Sequence, residues 1–127
     1  MNNRRSFIIG IKSTTLSTTE KKFLQKYKPW GVILFSRNIK SLKQAKNLTN
    51  QIKKLFKDKN YPILIDQEGG RVNRLKKFFN DDSLTGDFFG KLYLNNKKKF
   101  YNHYKTYIKK TSLLLKSIGA NINTLPV

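Results

Sequence analysis

No cysteine occurs in the 127 residues, which excludes disulfides and thiolate metal sites and leaves the redox compartment open. Acids are nearly as scarce: seven Asp and Glu, only two of them Glu, stand against 27 Lys and Arg, for a formal net charge of +20. One histidine is present. No zinc-ligand spacing can be assembled from such a set, so neither a metal nor another cofactor is expected. Long apolar runs are also missing. The stretch Phe7 to Ile11, behind Arg4 and Arg5, is too short for a signal h-region, and nothing of membrane length follows. The expectation is a soluble, cytoplasmic protein with no membrane partner.

The positive charge would ordinarily point to nucleic acid or an anionic surface. Here lysine outnumbers arginine 22 to 5, and asparagine, isoleucine, phenylalanine and tyrosine abound while alanine appears twice, a set that tracks A/T-rich codons. Base-specific recognition leans on arginine, and these lysines are scattered from Lys12 to Lys116. No specific nucleic-acid partner is expected. A chain of this length fits one domain with a sizeable core, residues 1–127.

Apolar runs alternate with helical periodicity. Phe7 to Ile11, Val32 to Phe35 and Tyr61 to Ile65 read as buried strands. Ser17 with Glu20, and Ser41 with Gln44, carry capping-box spacing ahead of apolar faces, Phe23, Leu24 and Tyr27 in one and Leu42, Ala45, Leu48, Ile52, Leu55 and Phe56 in the other. A third helix is expected through Tyr104, Tyr107, Ile108, Thr111, Leu114, Leu115 and Ile118, ending at Gly119. Asn121 to Val127 begins like a fourth strand. Strand and helix thus alternate as in α/β folds with parallel sheets. The connection from Asp66 to Asn96 is long for such a unit, which favours a functional loop or short extra elements.

The most informative junction is where Ile63, Leu64 and Ile65 end in Asp66-Gln-Glu-Gly-Gly-Arg-Val-Asn-Arg74. An apolar strand that stops at an acid, two glycines and two arginines has the form of a barrel strand passing into a ligand-facing loop. Arginine can neutralise a carboxylate while donating to substrate oxygens. The same residues also fit a buried ion pair that braces a loop, and the pattern leaves both open.

Three segments carry a likeness: Gly31-Val-Ile-Leu-Phe-Ser-Arg-Asn-Ile39, Pro62-Ile-Leu-Ile-Asp-Gln-Glu-Gly-Gly-Arg-Val-Asn-Arg-Leu75 and Ile118-Gly-Ala-Asn-Ile-Asn-Thr-Leu-Pro-Val127. They resemble the N-terminal domain of family 3 glycoside hydrolases, above all the bacterial beta-N-acetylhexosaminidases. The resemblance implies the first half of a TIM-like (β/α)8 barrel, about three βα units plus the start of a fourth strand. It implies a carbohydrate substrate, a beta-linked N-acetylhexosaminide derived from cell-wall material, as in peptidoglycan recycling. By it, Asp66 and Arg74 contact the sugar, Glu68 and Arg71 form an ion pair supporting the loop, and Arg37 with Asn38 organises the loop after the second strand.

Family members are retaining enzymes that need a nucleophilic carboxylate and an acid/base. The family's acid/base histidine follows Lys-His and Pro-Gly-His patterns absent here, and its nucleophilic aspartate comes later still, so no catalytic residue is assigned. His103 falls on the third helix and is read as a surface histidine. A complete barrel takes about 250 residues, so the chain is expected to be an amino-terminal fragment, inactive alone and able to self-associate through open sheet edges. The competing readings are a beta-glucosidase-like member, a basic nucleic-acid-binding module and a non-catalytic sugar-binding half-barrel.

Overall fold

The computed structural model describes residues 3–125, so Pro126 and Val127, the end of the expected fourth strand, lie outside the described residues. The order is β1 (Arg5–Gly10), α1 (Thr18–Tyr27), β2 (Pro29–Leu34), a single 3-10 turn (Ser36–Asn38), α2 (Leu42–Leu55), β3 (Ile63–Ile65), α3 (Gly86–Asn95), α4 (Lys97–Ile118) and β4 (Ile122–Asn123). The four strands form one parallel sheet in the order β1-β2-β3-β4. All three residues of β3 are buried, as a strand flanked on both sides and covered on both faces must be, whereas no residue of the edge strand β1 is buried.

The helices start where the capping chemistry places them. Ser17 Oγ accepts from the Glu20 N–H at 3.2 Å and Glu20 Oε2 accepts from the Ser17 N–H at 2.9 Å, a reciprocal capping box; Ser41 accepts from the Gln44 N–H at 3.1 Å. Gln44 also donates to the Thr14 and Asn38 carbonyls at 2.7 and 3.1 Å, tying α2 to the loops after β1 and β2. Leu24 from α1, and Ala45, Leu48 and Ile52 from α2, bury their apolar faces against the sheet in one core with Val32, Leu34, Ile63 and Ile65.

The helix expected after the long loop is α4, and a shorter helix, α3, precedes it inside that loop. Asn96 separates them: its N–H closes α3 on the Leu92 carbonyl at 2.8 Å, and its side chain caps α4 by accepting from the Lys99 N–H at 2.9 Å. Helix α3 is thus the extra element in the long connection, and residues 66–85 form its loop.

At the far end of α4, Gly119 has φ +82° and leaves no room for a side chain beside Thr49 of α2. The Thr49 hydroxyl donates to the Ile118 carbonyl at 2.8 Å and Lys53 Nζ to the Gly119 carbonyl at 2.9 Å, so α2 holds the corner that feeds β4. Replacing Gly119 by Ala forces both an unfavourable φ and a clash with Thr49. The expected loss is about 1–3 kcal/mol of unfolding free energy, read from urea midpoints; an unchanged midpoint would show that the corner does not depend on this close approach.

Candidate functional site

The carboxyl ends of the four parallel strands lie side by side, and the polar side chains gather there. After β2, Asn38 is fully buried. Its Nδ2 donates to the carbonyls of Ile11 and Ser13 at 3.1 and 2.8 Å, and its Oδ1 accepts from the Phe35 N–H at 2.9 Å. Arg37 Nε also donates to the Ile11 carbonyl at 3.1 Å, and its guanidinium lies 4.5 Å from the Phe35 ring centre. These bonds join the ends of β1 and β2.

Asp66 follows β3, and Arg74 returns to meet it: Nη2 and Oδ2 are 3.4 Å apart, with both side chains about a quarter exposed, 28% and 24%. The other Asp66 oxygen faces the Thr124 hydroxyl, just after β4. Arg74 lies 5.5 Å from the same Phe35 ring that Arg37 covers. Its Nε is buried with no hydrogen-bond partner. A partly open carboxylate that only accepts, beside a partly exposed guanidinium that only donates, can bind a group that both donates and accepts, as hydroxyls do.

The Glu68–Arg71 ion pair expected from the sequence does not form. The ion pairs among the described residues are Arg4–Asp58, Asp66–Arg74, Lys76–Asp82 and Lys91–Asp87. Backbone bonds close the 68–72 turn instead, from the Glu68 N–H to the Val72 carbonyl at 3.0 Å and from the Val72 N–H to the Gly69 carbonyl at 3.2 Å. Such a turn needs no salt bridge once Gly69 takes φ +84°, a position where a side chain would strike the Tyr107 hydroxyl.

Behind Asp66 lies a polar network that the sequence reading missed. Gln67, 1% exposed, exchanges two bonds with Asn123 of β4: its N–H donates to Asn123 Oδ1 at 2.9 Å and its carbonyl accepts from Asn123 Nδ2 at 3.1 Å. The Gln67 side chain accepts from the N–H groups of Arg74 and Leu75 at 3.0 and 3.1 Å and donates to Asn73 Oδ1 at 2.9 Å. Asp81, fully buried, accepts from Asn73, Gln67 and the Tyr107 hydroxyl of α4. No periodicity signals these partners; a Gln, an Asn and an Asp in one acid-bearing loop were the available hint.

A groove of about 930 Å³ opens beside this network, between the 67–72 turn and the aromatic faces of α3 and α4, with Phe89, Tyr93, Tyr104 and Tyr107 among its walls. Neither Asp66 nor Arg74 lines it, so the paired side chains sit on a separate open ledge. Phe88 and Phe89 pack edge-to-face with each other, and Phe89 packs likewise on Tyr104. His103 is exposed on α4, its ring nitrogen 2.9 Å from the Lys99 carbonyl. Among the described residues no cluster of three metal-ligating side chains occurs, and no helix is long and apolar enough to cross a membrane.

Comparison with known proteins points the same way as the ledge. No protein-family model matches the chain. A beta-hexosaminidase of Hydrogenovibrio crunogenus is 40% identical over 92 residues, 72% of this chain and 25% of that protein. The structure of NagZ from Neisseria gonorrhoeae in complex with N-trifluoroacetyl-D-glucosamine superposes with a TM-score of 0.74 at 28% identity, over 97% of this chain and 36% of that one. A family 3 beta-N-acetylglucosaminidase from a Paenibacillus species shares the fold, with a TM-score of 0.72 at 23% identity over 94% of this chain and 22% of that one. The four-stranded parallel sheet therefore corresponds to the first half of the TIM-like barrel in those enzymes. The chain spans about a quarter of the length of the curated relative and about a third of NagZ.

Two tyrosines, Tyr107 bonded to Asp81 and Tyr61 at the amino end of the sheet, give a pH test of the packing. Burial pushes Tyr107 up to about 12, helped by the charge and hydrogen bond of Asp81; burial also pushes Tyr61 up to about 12, against the opposing pull of Arg4. Each holds its proton more tightly folded than unfolded, where tyrosine ionises near 10. The stability they contribute is therefore complete below pH 10 and lost as the pH climbs towards 12. Urea unfolding across this range should show that decline in the parent and a shallower one in Tyr61→Phe/Tyr107→Phe. Equal slopes would contradict it.

Proposed function

We propose that this chain, which is related to the family 3 beta-hexosaminidases and carries the first four strands of their barrel, binds the terminal sugar of a beta-linked N-acetylhexosaminide. In this reading residues 1–127 are the N-terminal part of the barrel domain, and the complete barrel is a retaining beta-N-acetylhexosaminidase. Its substrates would be amino sugars released from the cell wall, handled in the cytoplasm during peptidoglycan recycling.

One observation carries the proposal: Asp66 and Arg74 stand together, both partly exposed, at the carboxyl end of β3, where barrel enzymes place their ligands. Asp66 accepts from one sugar hydroxyl while Arg74 donates to the same or a neighbouring one. Thr124 holds Asp66 from the far side, and Phe35 with Arg37 supports the guanidinium from below. Arg37 in this arrangement supports the loop and leaves the sugar to the other two.

Glycoside hydrolysis with retention needs a carboxylate placed to attack the anomeric carbon and a second group to protonate the leaving oxygen. Asp66 is tied at both oxygens, to Thr124 and Arg74, which suits a binding group rather than a nucleophile. The one histidine, His103, is exposed on α4, where its ring nitrogen meets the Lys99 carbonyl. The chain thus holds the sugar, and chemistry comes from groups on the remaining strands of the barrel.

The test is titration of the purified chain with N-acetylglucosamine, followed by NMR shifts, with glucose as the control. Shifts centred on residues 35–37, 66–74 and 124 are expected, with affinity reduced at least about tenfold in Asp66→Ala and in Arg74→Ala, because hydrogen bonds to charged groups contribute about 1.5–3 kcal/mol. Binding that is absent from the parent, or unchanged in both variants, would remove the proposal. Release of aryl alcohol from an aryl beta-N-acetylglucosaminide by the 127-residue chain would overturn the division between binding and chemistry.

A further inference from the structure

The Asp81 carboxylate is fully buried and pairs with no cation, which is costly for an ionised group and calls for a role. Its oxygens meet only neutral donors: Asn73 Nδ2 at 2.5 Å, the Tyr107 hydroxyl at 3.0 Å and Gln67 Nε2 at 3.4 Å. The Asp81 carbonyl is held as well, accepting from the N–H groups of Gly70 at 3.3 Å and Leu84 at 2.8 Å. A neutral Asn or Thr could brace a loop at less cost. What only a carboxylate can do is accept from every neighbour at once, and so dictate that each presents its donor end.

We infer that Asp81 is a positioning residue for the sugar site: it fixes which end of the Gln67 amide faces inward, and through Gln67 it sets where Arg74 stands beside Asp66. The inference rests on the binding role proposed above for Asp66 and Arg74. The two ends of a glutamine amide have nearly the same shape, so orientation is decided by their partners. With Nε2 turned to Asp81 and Asn73, Oε1 points to the backbone of Arg74 and Leu75 and accepts from both N–H groups. A flipped amide would set its NH2 against those two N–H groups, donors facing donors in a buried space. Asn73 is oriented by the same rule: its Nδ2 goes to Asp81 and the Phe79 carbonyl, leaving Oδ1 for Gln67 and the Leu75 N–H.

The consequence reaches the site because the Arg74–Asp66 contact is long, 3.4 Å, and close to the limit of a hydrogen bond. A small shift of the Arg74 backbone either closes that pair, consuming the donors a sugar would use, or opens it. Asp81 does not touch Asp66 or Arg74 directly and acts through the Asn73 and Gln67 amides, so its effect should appear first in the backbone of residues 74 and 75.

The experiment measures amide hydrogen exchange and N-acetylglucosamine affinity on the full chain in four forms: parent, Asp81→Asn, Tyr107→Phe and the swap Asn73→Asp/Asp81→Asn. Asp81→Asn introduces a donor among donors and should speed exchange at Arg74 and Leu75 about tenfold, with Val32 and Leu34 of β2 unchanged, and weaken sugar binding by a similar factor. The swap restores an acceptor for Gln67 and should recover at least half of both losses on a logarithmic scale, a rescue that a merely packed side chain would not give. Tyr107→Phe, which removes one donor and leaves the carboxylate, should change exchange at Arg74 and Leu75 less than threefold. Parent-like exchange at Arg74 and Leu75 in Asp81→Asn overturns the inference, as does equal acceleration in β2 or a swap no better than the single change. If the parent binds no sugar, the binding proposal fails, and the exchange data still decide whether Asp81 positions Arg74.

Discussion

Gln67 is a buried amide that must find every hydrogen-bond partner inside the protein, and the loop after β3 is arranged around meeting that demand. Its backbone N–H and carbonyl are both taken by Asn123, which locks the end of β3 to β4. Its side-chain oxygen takes the N–H groups of Arg74 and Leu75, which brings the returning loop back over the strand end, and its side-chain nitrogen meets Asn73 and Asp81. One residue thereby joins the sheet, the loop and the Asp81 hub that reaches α4 through Tyr107. Leaving such a group unpaired costs about 1–3 kcal/mol per atom, and a folded domain has only about 5–15 kcal/mol in hand. The geometry of the ledge is therefore a by-product of satisfying Gln67.

The parts of the fold that were legible in the sequence are those set by short-range chemistry. Ser17 and Glu20 close on each other three residues apart, and the apolar spacing of α2 maps onto its buried Ala45, Leu48 and Ile52. Continuous apolar runs marked β2 and β3 because a parallel strand covered on both faces has no polar alternation to show. The likeness of residues 62–75 to family 3 hydrolases located Asp66 and Arg74, which the fold does bring together.

What escaped is long-range or rests on backbone. The Asp81 bonds to Gln67 and Tyr107 span 14 and 26 residues, and Asn123 reaches Gln67 across 56. No local pattern encodes such separations. The expected pairing of Glu68 with Arg71 does not occur because, in the turn, Gly69 and the two backbone bonds already fix the path. Helix α3 was foreseen only as an unspecified extra element of the long connection, whose end at Asn96 is fixed by the side-chain cap on the Lys99 N–H.

The charge of the chain also has to be read by place. Residues 66–82 hold Asp66, Glu68, Asp81 and Asp82 against Arg71, Arg74, Lys76 and Lys77, so this loop is neutral inside a chain of +20. More than half of the seven acids lie within these 17 positions. A polyanion would be drawn to the lysines spread over the rest of the surface and would gain nothing from a ledge whose leading group is a carboxylate. A neutral ligand rich in hydroxyls matches it, because each hydroxyl can donate to Asp66 and accept from Arg74 without bringing charge of its own. The aromatic groove carries Glu68 and Arg71 in its walls as well, but these two form no ion pair. Local neutrality, with a partnered acid and arginine at its centre, separates this ledge from the basic surface around it.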